Sequence, residues 1–172
     1  MTFDQFELDL LNDAWDQMNK KGVQDRLSKF KELRKTPINN EAWFEWELYH
    51  HLLTIDRGWK KEKKNRKGKN RQRGDGVDLQ FSNNRFVELR AVTTEKTSFS
   101  WVLNGLLQHE EADAVLFLAL YYMNLRKWLE KYKTNGNKLR YKGQNYEITI
   151  KHINEDWIVG MIKKMEHNSY DN

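Results

Sequence analysis

The chain has 172 residues, 38% hydrophobic and 13% aromatic, which suffices for one core of ordinary size and points to a single domain over residues 1–172. It has no Cys, no apolar run long enough to span a bilayer and no secretory signal in Met1-Thr2-Phe3-Asp4, so disulfide frameworks, thiolate metal sites and membrane spans are excluded and a cytoplasmic setting is expected. The formal net charge of +5 is concentrated in residues 60–73, which hold nine basic side chains and one acidic one and leave 21 basic against 24 acidic residues elsewhere.

Phe3, Phe6, Leu10, Ala14 and Met18 recur at helical spacing behind Thr2 as a cap, with Gly22 as the stop. A second helix over 23–34 places Leu27, Phe30 and Leu33 on one side before Thr36-Pro37 breaks it. A third helix, capped by Asn39 or Asn40, runs to Ile55 with Ala42, Phe44, Trp46, Leu48, Tyr49, Leu52, Leu53 and Ile55 on a broad apolar arc. Glu47, His50, His51 and Thr54 fall on its solvated side, while Glu45 lies in the middle of the apolar arc and Glu41 one turn earlier on the same side. A carboxylate aimed into a core face needs a partner, whether an Arg, a backbone group or a cation. The seven Trp are spread along the chain and are expected to fill the core.

A strand near 58–63 leads into the basic stretch, whose cations are Lys60, Lys61, Lys63, Lys64, Arg66, Lys67, Lys69, Arg71 and Arg73. Such a run is either a solvated loop or a clamp on a phosphate backbone, since clustered Lys and Arg gain affinity by releasing counterions from a polyanion. Two half-buried strands follow, Gly76–Phe81 and Phe86–Val92, each with one interior carboxylate, Asp78 and Glu88. Two carboxylates at the heart of a hairpin call for a positive ligand, and a divalent metal is the natural candidate. Facing residues of an antiparallel pair share one side of the sheet, so the turn decides whether the two can cooperate. A two-residue Asn83-Asn84 turn sets Asp78 opposite Leu89 and separates the carboxylates, whereas a three-residue loop, Asn83-Asn84-Arg85, sets Asp78 opposite Arg90 and keeps Asp78 and Glu88 on one side.

Beyond the hairpin, a helix over 98–111 turns Phe99, Val102, Leu106 and Leu107 inward, and Ala114–Leu120 reads as a strand covered on both faces. A helix over 123–133, an Asn135-Gly136 turn and a hairpin of 139–141 with 146–150 come next. Trp157, Ile158, Met161, Ile162 and Met165 then form a last helical face, so residues 122–172 read as a helix-hairpin-helix extension. His50-His51 and His109-Glu110 lack the spacing of a zinc-protease helix, and no Gly-rich phosphate loop is present.

Asp78 followed by Glu88-Leu89-Arg90, in an α-β-β-β-α-β order with an inward Glu45 on the preceding helix, resembles the PD-(D/E)XK nuclease superfamily and its restriction-endonuclease-like fold. The run Glu45, Leu48, Tyr49, Leu52, Leu53 before Gly58-Trp59 is also similar to the first helix of the archaeal Holliday-junction resolvases. The likeness covers residues 41–121, with 1–40 as N-terminal helices and 122–172 as the extension. Val77 stands where the name-giving Pro would be, and Arg90 where a Lys is usual.

The resemblance implies an α/β fold with a mixed central sheet and a Mg²⁺-dependent endonuclease acting on DNA, with Mn²⁺ as a substitute ion, RNA left open and a homodimer where both strands are cut. Asp78 and Glu88 would ligate the metal with the Leu89 carbonyl, Glu45 would hold a metal-bound water or a second ion, with Glu41 as a further candidate site residue, and Arg90 would orient the nucleophile or neutralise charge on the phosphoryl group. Arg90 cannot serve as a general base, because a guanidinium keeps its proton above about pH 12. Lys96 could supply the missing amine or be an exposed turn residue, and Asp75 is either a further acid or part of a Gly74-Asp75-Gly76 turn. Two other readings remain open: a nucleic-acid-binding protein of this fold without catalysis, and a protein-interaction subunit whose basic loop meets an acidic partner.

Overall fold

The computed structural model describes residues 3–32, 40–55, 59–61, 78–81, 85–95, 97–108 and 112–165. In chain order the elements are α1 (Gln5–Met18), α2 (Lys21–Glu32), α3 (Glu41–Ile55), β1 (Trp59–Lys61), β2 (Leu79–Phe81), β3 (Arg85–Val92), α4 (Ser100–Gln108), β4 (Ala114–Leu120), α5 (Met123–Tyr132), β5 (Lys138–Tyr141), β6 (Gln144–His152) and β7 (Trp157–Lys164). The seven strands form one mixed sheet in the order β1-β2-β3-β4-β7-β6-β5. Only the β3–β4 pair is parallel among the described residues, and α4 provides its crossover.

Alternation along the central strands divides the core into two layers. Leu79, Val87, Leu89, Ala91, Leu116, Leu118, Val159 and Met161 face α1, α2 and α3, where they meet Leu10, Leu27, Phe44 and Leu48. Val92, Val115, Phe117, Ala119, Ile158 and Ile162 face α4 and α5, where they meet Phe99, Val102, Leu103 and Leu125. Every residue of β4 is buried, as expected for a strand paired on both edges and covered on both faces. Glu88 and Arg90 alternate with Leu89 and Ala91 on β3, so they belong to the α4 side.

The C-terminal reading is overturned: residues 157–164 form β7, wedged between β4 and β6, and no final helix follows α5 among the described residues. The apolar positions that suggest a helical stripe fit equally well a strand buried on both faces, and the intervening Val159 and Gly160 are the sign of the strand. Gly160 faces Phe117, where an added Cβ would lie 2.3 Å from the ring edge and 2.8 Å from the Thr149 carbonyl. The hairpin of β5 and β6 is as read, closed by Lys142-Gly143 with φ of 48° and 79°, the left-handed pair that a two-residue hairpin turn requires.

Smaller corrections follow from packing. Asp4 occupies the N-cap of α1 and Asn19 its C-cap, so Gly22 belongs to α2; Thr2 is outside the described residues. Glu47, assigned to solvent on the wheel, is buried against α1 and α2, where Gln17 Nε2 donates to it at 3.1 Å and Arg26 pairs with it. The large exposed apolar side chains of α3 are instead Trp46 and Leu53, at 61% and 60%, and Ala42 is exposed too, so neither Trp46 nor Ala42 contributes to the core. Leu107 is likewise exposed, and Leu103 takes the inward place on α4.

Candidate functional site

β2 and β3 adopt a register that neither anticipated turn gives: Leu79 faces Val87, Gln80 faces Phe86 and Phe81 faces Arg85. Carried on by one residue, this register sets Asp78 across from Glu88, so the two carboxylates occupy facing positions with residues 82–84 as the connection. Both side chains are buried, and Asp78 Oδ2 accepts the Leu89 backbone N–H at 2.8 Å.

Arg90 connects this pair to α3. Its Nη2 donates to Glu88 Oε1 at 2.9 Å and its Nη1 to Glu41 Oε1 at 3.0 Å. The Glu41 carboxylate reaches β3 from the first turn of α3, and its Oε2 accepts Ala91 N–H at 3.3 Å and Trp101 Nε1–H at 3.1 Å. The Trp101 ring covers the guanidinium, with Arg90 Cζ 4.6 Å from the ring centroid. One turn further along α4 comes Gly105, where a Cβ would lie 3.2 Å from Arg90 Nε and 3.3 Å from Glu88 Cγ. The helix therefore approaches the two charged stems as closely as its backbone allows.

Of the two glutamates singled out on α3, Glu41 pairs with Arg90 and with the Ala91 backbone N–H, and Glu45 is buried one turn beyond it. Trp101 and Gly105 were not anticipated. Their signal is an i, i+4 spacing on α4 with a glycine inside the helix, a placement that costs about 1 kcal/mol relative to Ala and marks a close approach. Lys60 and Lys61 are on β1, while Lys63, Lys64, Arg66, Lys67, Lys69, Arg71, Arg73, Asp75 and Lys96 lie outside the described residues.

The donor set suits a hard cation in kind. Mg²⁺ is commonly held by one or two carboxylates with water and phosphate oxygens completing the shell, and Asp78 and Glu88 offer two such groups at facing positions. No group of three or more His, Cys, Asp or Glu side chains is gathered closely enough to hold a metal by themselves among the described residues. No described helix is long and apolar enough to cross a membrane. Comparison with protein-family models, curated proteins and solved structures finds no match for this chain.

Proposed function

We propose that the chain is a metal-dependent endonuclease that hydrolyses DNA phosphodiester bonds on a restriction-endonuclease-like core, acting in the cytoplasm as a homodimer where both strands are cut. The observation that carries this reading is the facing register of Asp78 and Glu88, with Arg90 and Glu41 gathered beside them. The order α3-β1-β2-β3-α4-β4 supports it too, as does the cationic stretch from Lys60 to Arg73.

In this reading Asp78 and Glu88 hold Mg²⁺, with Mn²⁺ able to replace it. The ion supplies Lewis acidity and lowers the pKa of water at the scissile phosphate. Arg90 contributes a positive charge for the phosphoryl oxygens, held by its pair with Glu41 and by Trp101. The cations of 60–73 hold the backbone of the duplex. The deciding experiment is incubation of the full chain with supercoiled plasmid, linear duplex and branched DNA under Mg²⁺ and Mn²⁺; absence of cleavage in all three sinks the reading.

A second reading, a DNA-binding protein of the same fold without catalysis, is favoured by the double pairing of Arg90, which already supplies positive charge to Glu88 and Glu41. DNA retention without cleavage or metal binding selects it.

A further inference from the structure

We infer that Arg90 is a built-in cation that competes with a divalent metal for Glu88, and that Glu41 is the second seat onto which it withdraws; this rests on the metal-site reading above. The pair from Arg90 Nη2 to Glu88 Oε1 is 2.9 Å long, with 7% and 3% of the two side chains exposed. A charge-assisted bond so shielded from water is strong, and a divalent ion on the same carboxylate meets the repulsion of the guanidinium. Metal binding therefore has to weaken that bond.

The surroundings of Arg90 make the withdrawal feasible. A guanidinium presents its donors as a fork, so it bridges two carboxylates where an ammonium serves as a single point charge. Nη1 is already on Glu41, 3.0 Å from Oε1. Glu41 is itself fixed through its other oxygen by Ala91 N–H and Trp101 Nε1–H, so this seat does not move with the arginine. Trp101 supports the guanidinium face, and Gly105 leaves the space beside Nε that any other residue would fill. Releasing Glu88 thus costs Arg90 one of two ion pairs, while the buried charge stays compensated.

This arrangement gives metal affinities of opposite sign in two variants. Calorimetric titration of the full chain with Mn²⁺ and Mg²⁺, with Asp78→Ala as the blank, should show Arg90→Gln binding about tenfold or more tightly than wild type. Glu41→Gln, which leaves Arg90 with Glu88 alone, should bind about tenfold more weakly. Since Glu41 acts through Arg90, the double variant should match Arg90→Gln within about twofold.

Equal affinity of wild type and Arg90→Gln, or no binding by either, overturns the inference. So does a double variant that is weaker than Arg90→Gln by the factor that separates Glu41→Gln from wild type, because Glu41 then acts on the metal directly. Should circular dichroism show Arg90→Gln unfolded, Glu41→Gln carries the test: with Arg90 held on Glu88 alone, its affinity should fall below that of wild type, and equality overturns the inference. Cleavage assays on the same proteins separate the two claims. Metal binding with these shifts but no cleavage removes the endonuclease reading alone, whereas cleavage with unshifted affinity removes the competition alone.

Discussion

Asp78 and Leu89 are joined across the β2–β3 boundary by a hydrogen bond from the Leu89 backbone N–H to Asp78 Oδ2, 2.8 Å long and buried. The carboxylate therefore has a structural duty beside any chemical one, and substitutions must separate the two. Asp78→Asn keeps an acceptor for Leu89 while removing the charge; it should retain the fold, abolish Mg²⁺-dependent cleavage and spare or strengthen DNA binding. Asp78→Ala should in addition lose about 1–3 kcal/mol of stability, because a buried N–H is left without this partner. Denaturant titration alongside plasmid cleavage checks both. Full cleavage by Asp78→Asn would remove this residue from the site.

Glu88→Gln should likewise eliminate cleavage without releasing DNA. It removes the anion that Arg90 Nη2 contacts while preserving the size of the side chain. A gel-shift series at fixed salt, run beside the cleavage assay, distinguishes loss of chemistry from loss of binding.

Neutralising four of the nine cations between Lys60 and Arg73 should weaken duplex binding and flatten its salt dependence, by about 0.9 in the logarithmic slope for each phosphate that is no longer neutralised. The melting temperature should be unchanged. Identical slopes for variant and wild type would assign the stretch to solubility.

Glu7 and Lys163 form a buried pair of 2.9 Å between α1 and β7, and Glu7 Oε2 also accepts the Asp4 N–H at 2.9 Å. Burial raises the Glu7 pKa above its ordinary value of 4.5, more than the lysine and the backbone bond lower it. A raised folded pKa means that this group's stabilisation is full below the unfolded value and is lost as pH rises through the folded one. Glu7→Gln should therefore flatten the decline in stability above pH 4.5. Lys163→Met should cost about 3–5 kcal/mol near neutrality by leaving Glu7 charged without this counter-ion, and Lys163→Met combined with Glu7→Gln should recover most of that loss. Urea titrations at several pH values measure each difference.

Gly160→Val should destabilise by at least about 1–3 kcal/mol, the usual penalty of overpacking, because the new Cβ would fall on Phe117 and on the Thr149 carbonyl rather than on a flexible chain end. Phe117→Leu should relieve part of the strain. Thermal denaturation of the two single variants and the double tests the coupling.

Elements whose pattern admits one solution were legible in the sequence. Ala114–Leu120 has no polar interruption and forms β4 with those bounds, and Asn135-Gly136 and the following hairpin carry local turn chemistry. The 157–164 segment reads as a helix because a strand buried on both faces has no period of its own, and its neighbours β4 and β6 are unknown until the sheet is assembled. The wheel of α3 fails for a related reason. Two helices, α1 and α2, enclose Glu47 from a side that a wheel assigns to water, and they leave Trp46 outside. At the site, Asp78 and Glu88 could be picked out as interior carboxylates of a hairpin, and Arg90 through the resemblance of the motif. The preference for Glu41 over Glu45 as the partner of Arg90 depends on the angle at which α3 meets β3, which no one-dimensional pattern contains.

The place of β7 bears on how this chain could be cut for experiment. β4 pairs with β3 on one edge and with β7 on the other, and β7 comes from the last quarter of the sequence. A fragment ending after Tyr121 would keep α3, β3 and α4 but leave the edge of Ala114–Leu120 bare, seven apolar residues in a row with open hydrogen-bonding groups. Such an edge is a template for intermolecular pairing, so the fragment is expected to precipitate rather than to report on the site. Any minimal version of this protein has to retain β5, β6 and β7, however distant they are from Asp78 and Glu88 along the chain.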